Sequence, residues 1–258
     1  MNPTNFRDGF AKVASNGIGA AIQQAASRTG VDFSYLLGQA RIESGFNPDA
    51  RAKTSSATGL FQFIDQTWLG TVKEHGEKHG LGWAANAIQR GANGRFFVAD
   101  PAMKNAILDM RRDPGAASSM AAEFAADNQA YLENRLGRPM QSVDLYLAHF
   151  LGAGGAAKFL QAHDADPSAS AASALPAAAR ANRWVFYNKD GSARSFAEIR
   201  DRFAAKLGGE GAPLRSPPSR RDDMNVRMAA LDLPKAETVR PSPQYARLAY
   251  LMLAQLGG

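Results

Sequence analysis

The sequence predicts a mainly α-helical fold, on three observations. Apolar residues recur at helical spacing from about Ile18 to His163. Hydrophobic residues make up 45% of the 258 positions, which is enough for a sizeable core in one large domain or two small ones. The run Asp113-Pro114-Gly115 is a clear break between two of the helical stretches.

Taken in order, the predicted helices occupy most of the chain up to residue 163. They cover residues 17–29, 33–43, 59–75, 101–112, 117–136, 142–151 and 154–163. Residues 166–181 are rich in Ala and Ser and indicate a long loop with a short helix. Trp184 to Tyr187 is a short strand-prone run, and Ser195 to Leu207 is predicted to be the last helix of the domain.

The composition changes after residue 207. Gly and Pro are frequent between Gly208 and Pro243 and large apolar residues are few, which is typical of a linker or flexible arm. Residues 244–258 contain an amphipathic pattern. We therefore expect a domain over 1–207, a linker over 208–243 and a C-terminal helix over 244–258. We expect this helix to dock back on the domain, to bind a protein partner through residues 244–256, or to lie on a membrane surface.

Composition also limits the kinds of site. The chain has no cysteine, which excludes disulfides and thiolate nucleophiles. His75 and His79 are four residues apart without a third ligand nearby in the sequence, so we expect solvated histidines and no metal or cofactor. Residues 180–221 hold ten Lys and Arg against four acids, a surplus equal to the whole net charge of +6. This surface suits an anionic polymer or only aids solubility, and no nucleic-acid motif accompanies it.

Glu43 has the most informative position in the chain. Asp32 is the predicted N-cap of its helix, and Leu36, Ala40 and Glu43 share one helical stripe that ends before Gly45. In the last turn of a helix, burial and the negative helix end both disfavour a charged carboxylate. A carboxyl that stays protonated is what a general acid requires.

A second motif, Gly59-Leu60-Phe61-Gln62-Phe63, begins sixteen residues after Glu43. On the predicted helix over 59–75, Gln62 falls on the more polar stripe, so we expect it to face a cleft. The loop between Glu43 and this motif is rich in small and polar residues, as is typical of segments that border substrate sites.

Glu43-Ser44 followed by Gly59 to Phe63 resembles the first two motifs of the soluble lytic transglycosylases, the SLT-type, goose-lysozyme-like enzymes that cleave peptidoglycan. The resemblance covers roughly Ile18 to Gly155 and extends plausibly to Leu207. It implies a lysozyme-like helical domain, with a short irregular or β element near residues 183–194.

The resemblance also implies a reaction. These enzymes cleave the β-1,4 bond between N-acetylmuramic acid and N-acetylglucosamine with one Glu, here Glu43, as general acid and then base. The product is a 1,6-anhydromuramoyl sugar. The implied partner is the peptidoglycan glycan strand and not nucleic acid, and the implied place of action is the bacterial envelope. Residues 1–30 contain no apolar secretory core, and no run of the chain reads as a membrane span, so the export route stays open.

The family's third motif, Ala-Tyr-Asn-Ala-Gly-Pro-Gly, is altered in this chain. The matching stretch is Ala148-His149-Phe150-Leu151-Gly152-Ala153-Gly154, with His149 where the Tyr is expected. In the family that Tyr helps to position the catalytic Glu, a role open here to Tyr146, to His149 or to neither. The resemblance further implies that substrate binding involves Ser44, Phe61, Gln62, Phe63 and Asn128.

Two other functions remain open. If Asp49 or Asp65 stands opposite Glu43 as a second carboxylate, the protein is a hydrolytic muramidase on the same fold. The altered third motif also fits a wall-binding assembly protein without turnover, part of a secretion, flagellar or phage-derived machine.

Overall fold

Residues 17–208 are described by this computed structural model. Helices make up 67% of them, and the β-strands in this range form one small two-stranded sheet, which confirms the mainly α prediction. The elements in this range are α1 (Ile18–Thr29), α2 (Phe33–Ser44), α3 (Asp65–His75), α4 (Gly82–Ala87), β1 (Gln89–Arg90), β2 (Phe96–Phe97), α5 (Pro101–Asp109), α6 (Pro114–Leu136), α7 (Ser142–Leu151), α8 (Ala153–Ala165), α9 (Ala171–Ala174), α10 (Pro176–Ala181), α11 (Arg183–Phe186) and α12 (Phe196–Leu207). Short 3-10 helices follow α3 over Gly76–His79 and α5 over Met110–Arg112.

Helix α6 is the longest helix between residues 17 and 208, and it packs against α1, α3, α7 and α8. The core forms where these helices meet and contains fully buried Ile22, Leu36, Trp68 and Phe159. Trp68 also donates its indole N–H to the carbonyl of Ile107 at 2.7 Å, so its polar atom is satisfied inside the core. None of the helices in the described range is long and apolar enough to cross a membrane.

Helix α12 closes the domain by packing across α2, α7 and α8. The carboxylate of Asp144, in the first turn of α7, is fully buried and links α7 to α12. It lies 3.0 Å from the guanidinium of Arg138 and 3.2 Å from that of Arg200 on α12, and it accepts the backbone N–H of Gln141. Asp144 therefore ties α12 to the N-terminal end of α7.

Most predicted helices are present with their ends shifted by a few residues. The helix predicted over 59–75 is wrong in its first part, because α3 begins only at Asp65. Gly59 has φ +85° and Gln62 has φ +46°, and two left-handed residues do not fit an α-helix. The short helix α4 and the β1–β2 hairpin, paired Gln89 to Phe97, were not predicted.

The strand predicted for Trp184 to Tyr187 is also wrong. Residues 183–186 form the helical turn α11. The backbone carbonyls of Trp184 and Val185 in this turn each accept a 2.7 Å hydrogen bond from the guanidinium of Arg194. The expected β character near 183–194 is limited to a single bridge between Tyr187 and Ala193. The predicted linker beyond Gly208 and the predicted C-terminal helix lie outside the described residues.

Candidate active site

Helix α2 carries Glu43 in its last turn, as predicted. The side chain of Asp32 caps the start of α2 by accepting the N–H of Tyr35 at 2.8 Å, and Gly45 ends it in a left-handed conformation. The side chain of Glu43 is fully buried. Its carboxyl therefore lies in the protein interior, with its surroundings supplied by other helices.

His149 on α7 makes the closest described contact with this carboxyl. Its Nε2 lies 3.1 Å from Oε1 of Glu43, while its Nδ1 lies 3.3 Å from the amide nitrogen of Gln39. An amide nitrogen only donates, so with Gln39 in this orientation Nδ1 accepts and the neutral ring carries its proton on Nε2, towards Glu43.

The contact between His149 and Glu43 is close without being an aligned hydrogen bond. Among residues 17–208, neither carboxyl oxygen of Glu43 has a hydrogen-bond partner of good geometry, although Oε1 lies at ion-pair distance from the imidazole. Catalytic hydrogen bonds are often poorly aligned before substrate binds.

Two tyrosines surround the same carboxyl. Burial, and secondarily the negative charge of Glu43, raises the pKa of both Tyr35 and Tyr146, so both hydroxyls stay protonated. The ring of Tyr146 stacks on His149 with centroids 6.0 Å apart and meets Phe203 of α12 edge-on. Tyr146 thus supports the imidazole, and the imidazole contacts Glu43.

A cation approaches this region from α12. The ammonium of Lys206 lies 5.5 Å from the ring centroid of Trp184. Burial is the main cause that lowers the pKa of Lys206 to about 8, Arg202 adds to the lowering, and the charge of Glu43 acts in the opposite direction. Within residues 17–208, neither Nζ of Lys206 nor Nε1 of Trp184 has a hydrogen-bond acceptor.

The second motif forms a tight loop that is held by Arg111. The buried guanidinium donates to the carbonyls of Ser56 and Phe63 at 2.8 and 2.9 Å and to the carboxylate of Asp65 at 2.8 Å. A Cβ at Gly59 would lie 1.9 Å from the carbonyl oxygen of Arg111, so only glycine fits there.

The other predicted site residues have structural contacts. Gln62 is buried and donates its amide to the carbonyls of Ala50 and Gly59 at 3.1 and 2.8 Å. The hydroxyl of Ser44 donates to the carbonyl of Ala40. Phe61 and Phe63 belong to the hydrophobic core, and Asn128 is buried on α6. Substrate binding by these residues stays a prediction.

The two acids considered as a second carboxylate differ in their surroundings. Asp65 is paired with Arg111, and Asp49 is exposed.

Sequence reasoning missed Gln39, although it stands one helical turn before Glu43 on the same helix. It also missed Lys206 and Trp184, which no local pattern connects with Glu43.

His75 and His79 are not the solvated pair that was expected. Glu123 on α6 lies between them, 3.1 Å from Nδ1 of His75 and 2.7 Å from Nε2 of His79, and Asp127 lies 2.7 Å from Nε2 of His75. The hydrogen bond to Asp127 raises the pKa of His75. Glu74, His75 and Asp127 also lie close enough to share a metal ion. Lys78, 3.2 Å from Nδ1 of His75, brings a positive charge that makes an ion-pair network the simpler description.

A comparison with known protein families gives a match in the first half of the chain. Residues 20–88 match the family model described as Transglycosylase SLT domain. The matched stretch contains Glu43, the loop with Gly59 to Phe63, and α3. It ends before α7 and α12, so His149 and Lys206 lie outside it.

Proposed function

We propose that this protein is a lytic transglycosylase with Glu43 as its acid and base, because residues 20–88 match the model of the Transglycosylase SLT domain, a family that cleaves peptidoglycan. Its substrate would be the β-1,4 bond between N-acetylmuramic acid and N-acetylglucosamine, and its place of action the bacterial envelope.

The observation that carries the proposal is the surroundings of Glu43. Its carboxyl is buried, has no aligned hydrogen bond within the described residues, and faces Nε2 of His149 at 3.1 Å. A carboxyl that is fixed in place but not consumed by structural hydrogen bonds is available for proton transfer to a substrate. The matched family segment contains this residue.

The proposed reaction needs one carboxyl group. Glu43 donates its proton to the glycosidic oxygen as the bond from that oxygen to C1 of the muramoyl sugar breaks. The C6 hydroxyl of the same sugar then bonds to C1 and returns its proton to Glu43, which leaves the enzyme unchanged and consumes no water. Intramolecular attack of this kind reaches effective molarities of about 10⁵ M or more, which removes the need for a second carboxylate to activate water.

Digestion of purified peptidoglycan with mass analysis of the products tests the proposal. We expect the wild type to release products with anhydro ends, and Glu43→Gln to lower the rate by about 10²–10⁴-fold. Asp49→Asn is the matched control, since Asp49 is an exposed acid close in sequence, and it should keep the wild-type rate. A Glu43→Gln protein with undiminished release would refute the role of Glu43.

Product mass separates the transglycosylase from a hydrolytic muramidase. Hydrolysis adds one water to each cleaved end, so its products are heavier by that amount. If water is the nucleophile, Asp49→Asn or Asp65→Asn should also lower the rate, because a second carboxylate would then activate the water.

A wall-binding protein without turnover is the second candidate. The observation that favours it is the complete burial of the Glu43 side chain, together with His149 in place of the family's Tyr. This function predicts that the wild type and Glu43→Gln bind sedimented peptidoglycan equally and that neither releases soluble fragments.

A further inference from the structure

Two hydrogen-bond donors near Glu43 are left without acceptors. Nζ of Lys206 and Nε1 of Trp184 are both buried, and within residues 17–208 neither is hydrogen-bonded. Buried polar atoms are nearly always paired, and a buried ammonium without a counter-ion is especially unfavourable. Two such atoms on neighbouring side chains are therefore a feature that needs an explanation.

The two donors belong to one small site. The ammonium of Lys206 sits 5.5 Å from the centre of the Trp184 ring, an attractive cation–π distance. Lys206 and Glu43 influence each other electrostatically, but they do not form an ion pair. The site thus lies beside the proposed catalytic carboxyl, and the positive charge of Lys206 is not paired with the carboxylate of Glu43.

The protein holds both residues in place through other contacts. Arg194 fixes the backbone of Trp184 by its 2.7 Å hydrogen bond to the carbonyl, and Phe150 packs edge-on against the indole. Arg41 on α2 donates to the carbonyl of Lys206 at 3.1 Å, which joins the end of α12 to the helix that carries Glu43. The indole and the backbone of Lys206 are positioned, while the four-carbon lysine stem lets the ammonium move towards a ligand.

The surrounding charges favour an anion. Arg202 adds positive potential on α12 and Arg41 on α2, while Glu43 is the acid that faces Lys206. Tyr35 and Tyr146 stay protonated and therefore carry no charge. Nε2 of His149 lies 3.1 Å from Glu43. A carboxylate would accept one charge-assisted hydrogen bond from the ammonium and one from the indole N–H.

We propose that Lys206 and Trp184 form a subsite for a carboxylate carried by the glycan substrate, beside Glu43. The inference rests on the proposed function, because peptidoglycan has such carboxylates and neutral N-acetylglucosamine polymers do not. The group comes either from the lactyl ether of muramic acid or from the attached peptide. In both cases the subsite would select the muramoyl side of the cleaved bond.

Titrations of the wild-type protein with ligands that it cannot cleave test this subsite. The readout is the indole ¹⁵N–¹H NMR signal of Trp184, assigned with Trp184→Phe. N-acetylmuramic acid and N-acetylglucosamine differ by the lactyl group alone. In N-acetylmuramoyl dipeptide the lactyl carboxyl is an amide, and the free carboxylate is on the peptide. Sodium lactate supplies a carboxylate without a sugar.

We expect N-acetylmuramic acid or its dipeptide to shift the Trp184 signal with an affinity at least about tenfold higher than that of N-acetylglucosamine. Lys206→Met should abolish this preference, and Lys158→Met, which removes an exposed lysine on α8, should leave it intact. A preference for the dipeptide alone identifies the peptide as the source of the carboxylate.

The outcomes separate this inference from the proposed function. Equal affinities for the charged and neutral sugars, or a preference that survives Lys206→Met, would overturn the subsite even if the protein cleaves peptidoglycan. A Trp184 shift with lactate but with none of the sugars would keep the carboxylate site and count against its use on a glycan. None of these titrations depends on turnover, so a failed digestion experiment leaves them interpretable.

Discussion

Nε2 of His149 lies 3.1 Å from Oε1 of Glu43, and Gln39 approaches the opposite side of the same imidazole at 3.3 Å. The two helices that meet here, α2 and α7, are far apart in the sequence. In the altered third motif, the residue in the place of the family's Tyr therefore lies at ion-pair distance from the carboxyl, and its positioning role stays a prediction.

Replacement of His149 should impair catalysis more than folding. His149→Ala leaves the carboxyl of Glu43 without its nearest polar neighbour, and a misplacement of about 1 Å can lower a rate by about 10²-fold. We expect a loss of this size in kcat on soluble muropeptide chains. His149→Tyr, which restores the family residue, should retain more activity than His149→Ala.

The control is His163→Ala on α8, where the histidine contacts Asp164. It should keep the wild-type kcat. Equal kcat values for His149→Ala and the wild type would show that the imidazole does not position Glu43. The pH dependence of kcat adds a second readout, because removal of a titratable neighbour should change its profile, whereas a loss of packing alone should not.

Lys206 should make stability increase with pH. Its folded pKa of about 8 is below the ordinary lysine pKa of 10.5, so the unfolded chain binds more protons between these values and the free energy of unfolding rises across that window. Lys206→Met should therefore raise Tm at pH 7 and remove the gain seen between pH 8 and 10 in the wild type. Thermal melts of the wild type and Lys206→Met at pH 7, 8 and 10 measure these Tm changes, with Lys158→Met as control. A Tm of Lys206→Met below that of the wild type at pH 7 would contradict the prediction.

His75 should have the opposite effect on stability. Its pKa is raised above 6.5 by Asp127, so its contribution is complete below pH 6.5 and is lost as pH rises through the folded pKa. We expect His75→Gln to lower Tm clearly at pH 5.5 and much less at pH 9. His163→Gln serves as the comparison, and a Tm difference for His75→Gln that does not change with pH would argue against an imidazolium in this network.

Gly59→Ala should strongly destabilise the loop that follows α2. A Cβ would lie 1.9 Å from the carbonyl of Arg111, and φ is +85°, so we expect more than about 3 kcal/mol of lost unfolding free energy. Gly137→Ala is a matched control, because it has φ +68° but nothing within 4 Å of the added Cβ, and it should lose about 1–2 kcal/mol. Urea unfolding measures both, and equal losses would mean that the Arg111 carbonyl moves aside.

Asp144→Asn should lose about 3–5 kcal/mol, since it leaves Arg138 and Arg200 without their buried counter-ion. Asp164→Asn breaks the more exposed pairs with Arg138 and His163, and its loss should stay below about 1 kcal/mol. The same urea experiment applies. A small loss for Asp144→Asn would mean that apolar packing and the hydrogen bond from Arg200 to Gln141 suffice to hold α7 and α12 together.

Local pattern predicted α2 well, because the Asp32 cap, the apolar stripe and Gly45 are all near neighbours of Glu43 in the sequence. The helix predicted over 59–75 failed at its start, because Arg111 holds Phe63 from a distance of 48 residues and stabilises a loop. The prediction that His75 and His79 are solvated was wrong for a similar reason, since Glu123, which contacts His79, lies 44 residues away in the sequence.

The candidate site shows the same limit more strongly. Gln39 and His149 are 110 residues apart, and Arg41 and Lys206 are 165 residues apart. Sequence spacing carries no information on such pairs. Motifs singled out Glu43, whereas tertiary packing decides what surrounds it.

The buried Asp144 carboxylate has a consequence for how this protein can change over evolution. It joins α7, which contributes His149, to α12, which contributes Lys206, so both neighbours of Glu43 arrive on one braced unit. Glu43 itself lies in the matched segment over residues 20–88. Under the proposed function, substitutions in the braced unit would change the reactivity and ligand preference of an unchanged Glu43, and a fragment limited to residues 20–88 would contain Glu43 without His149 and Lys206.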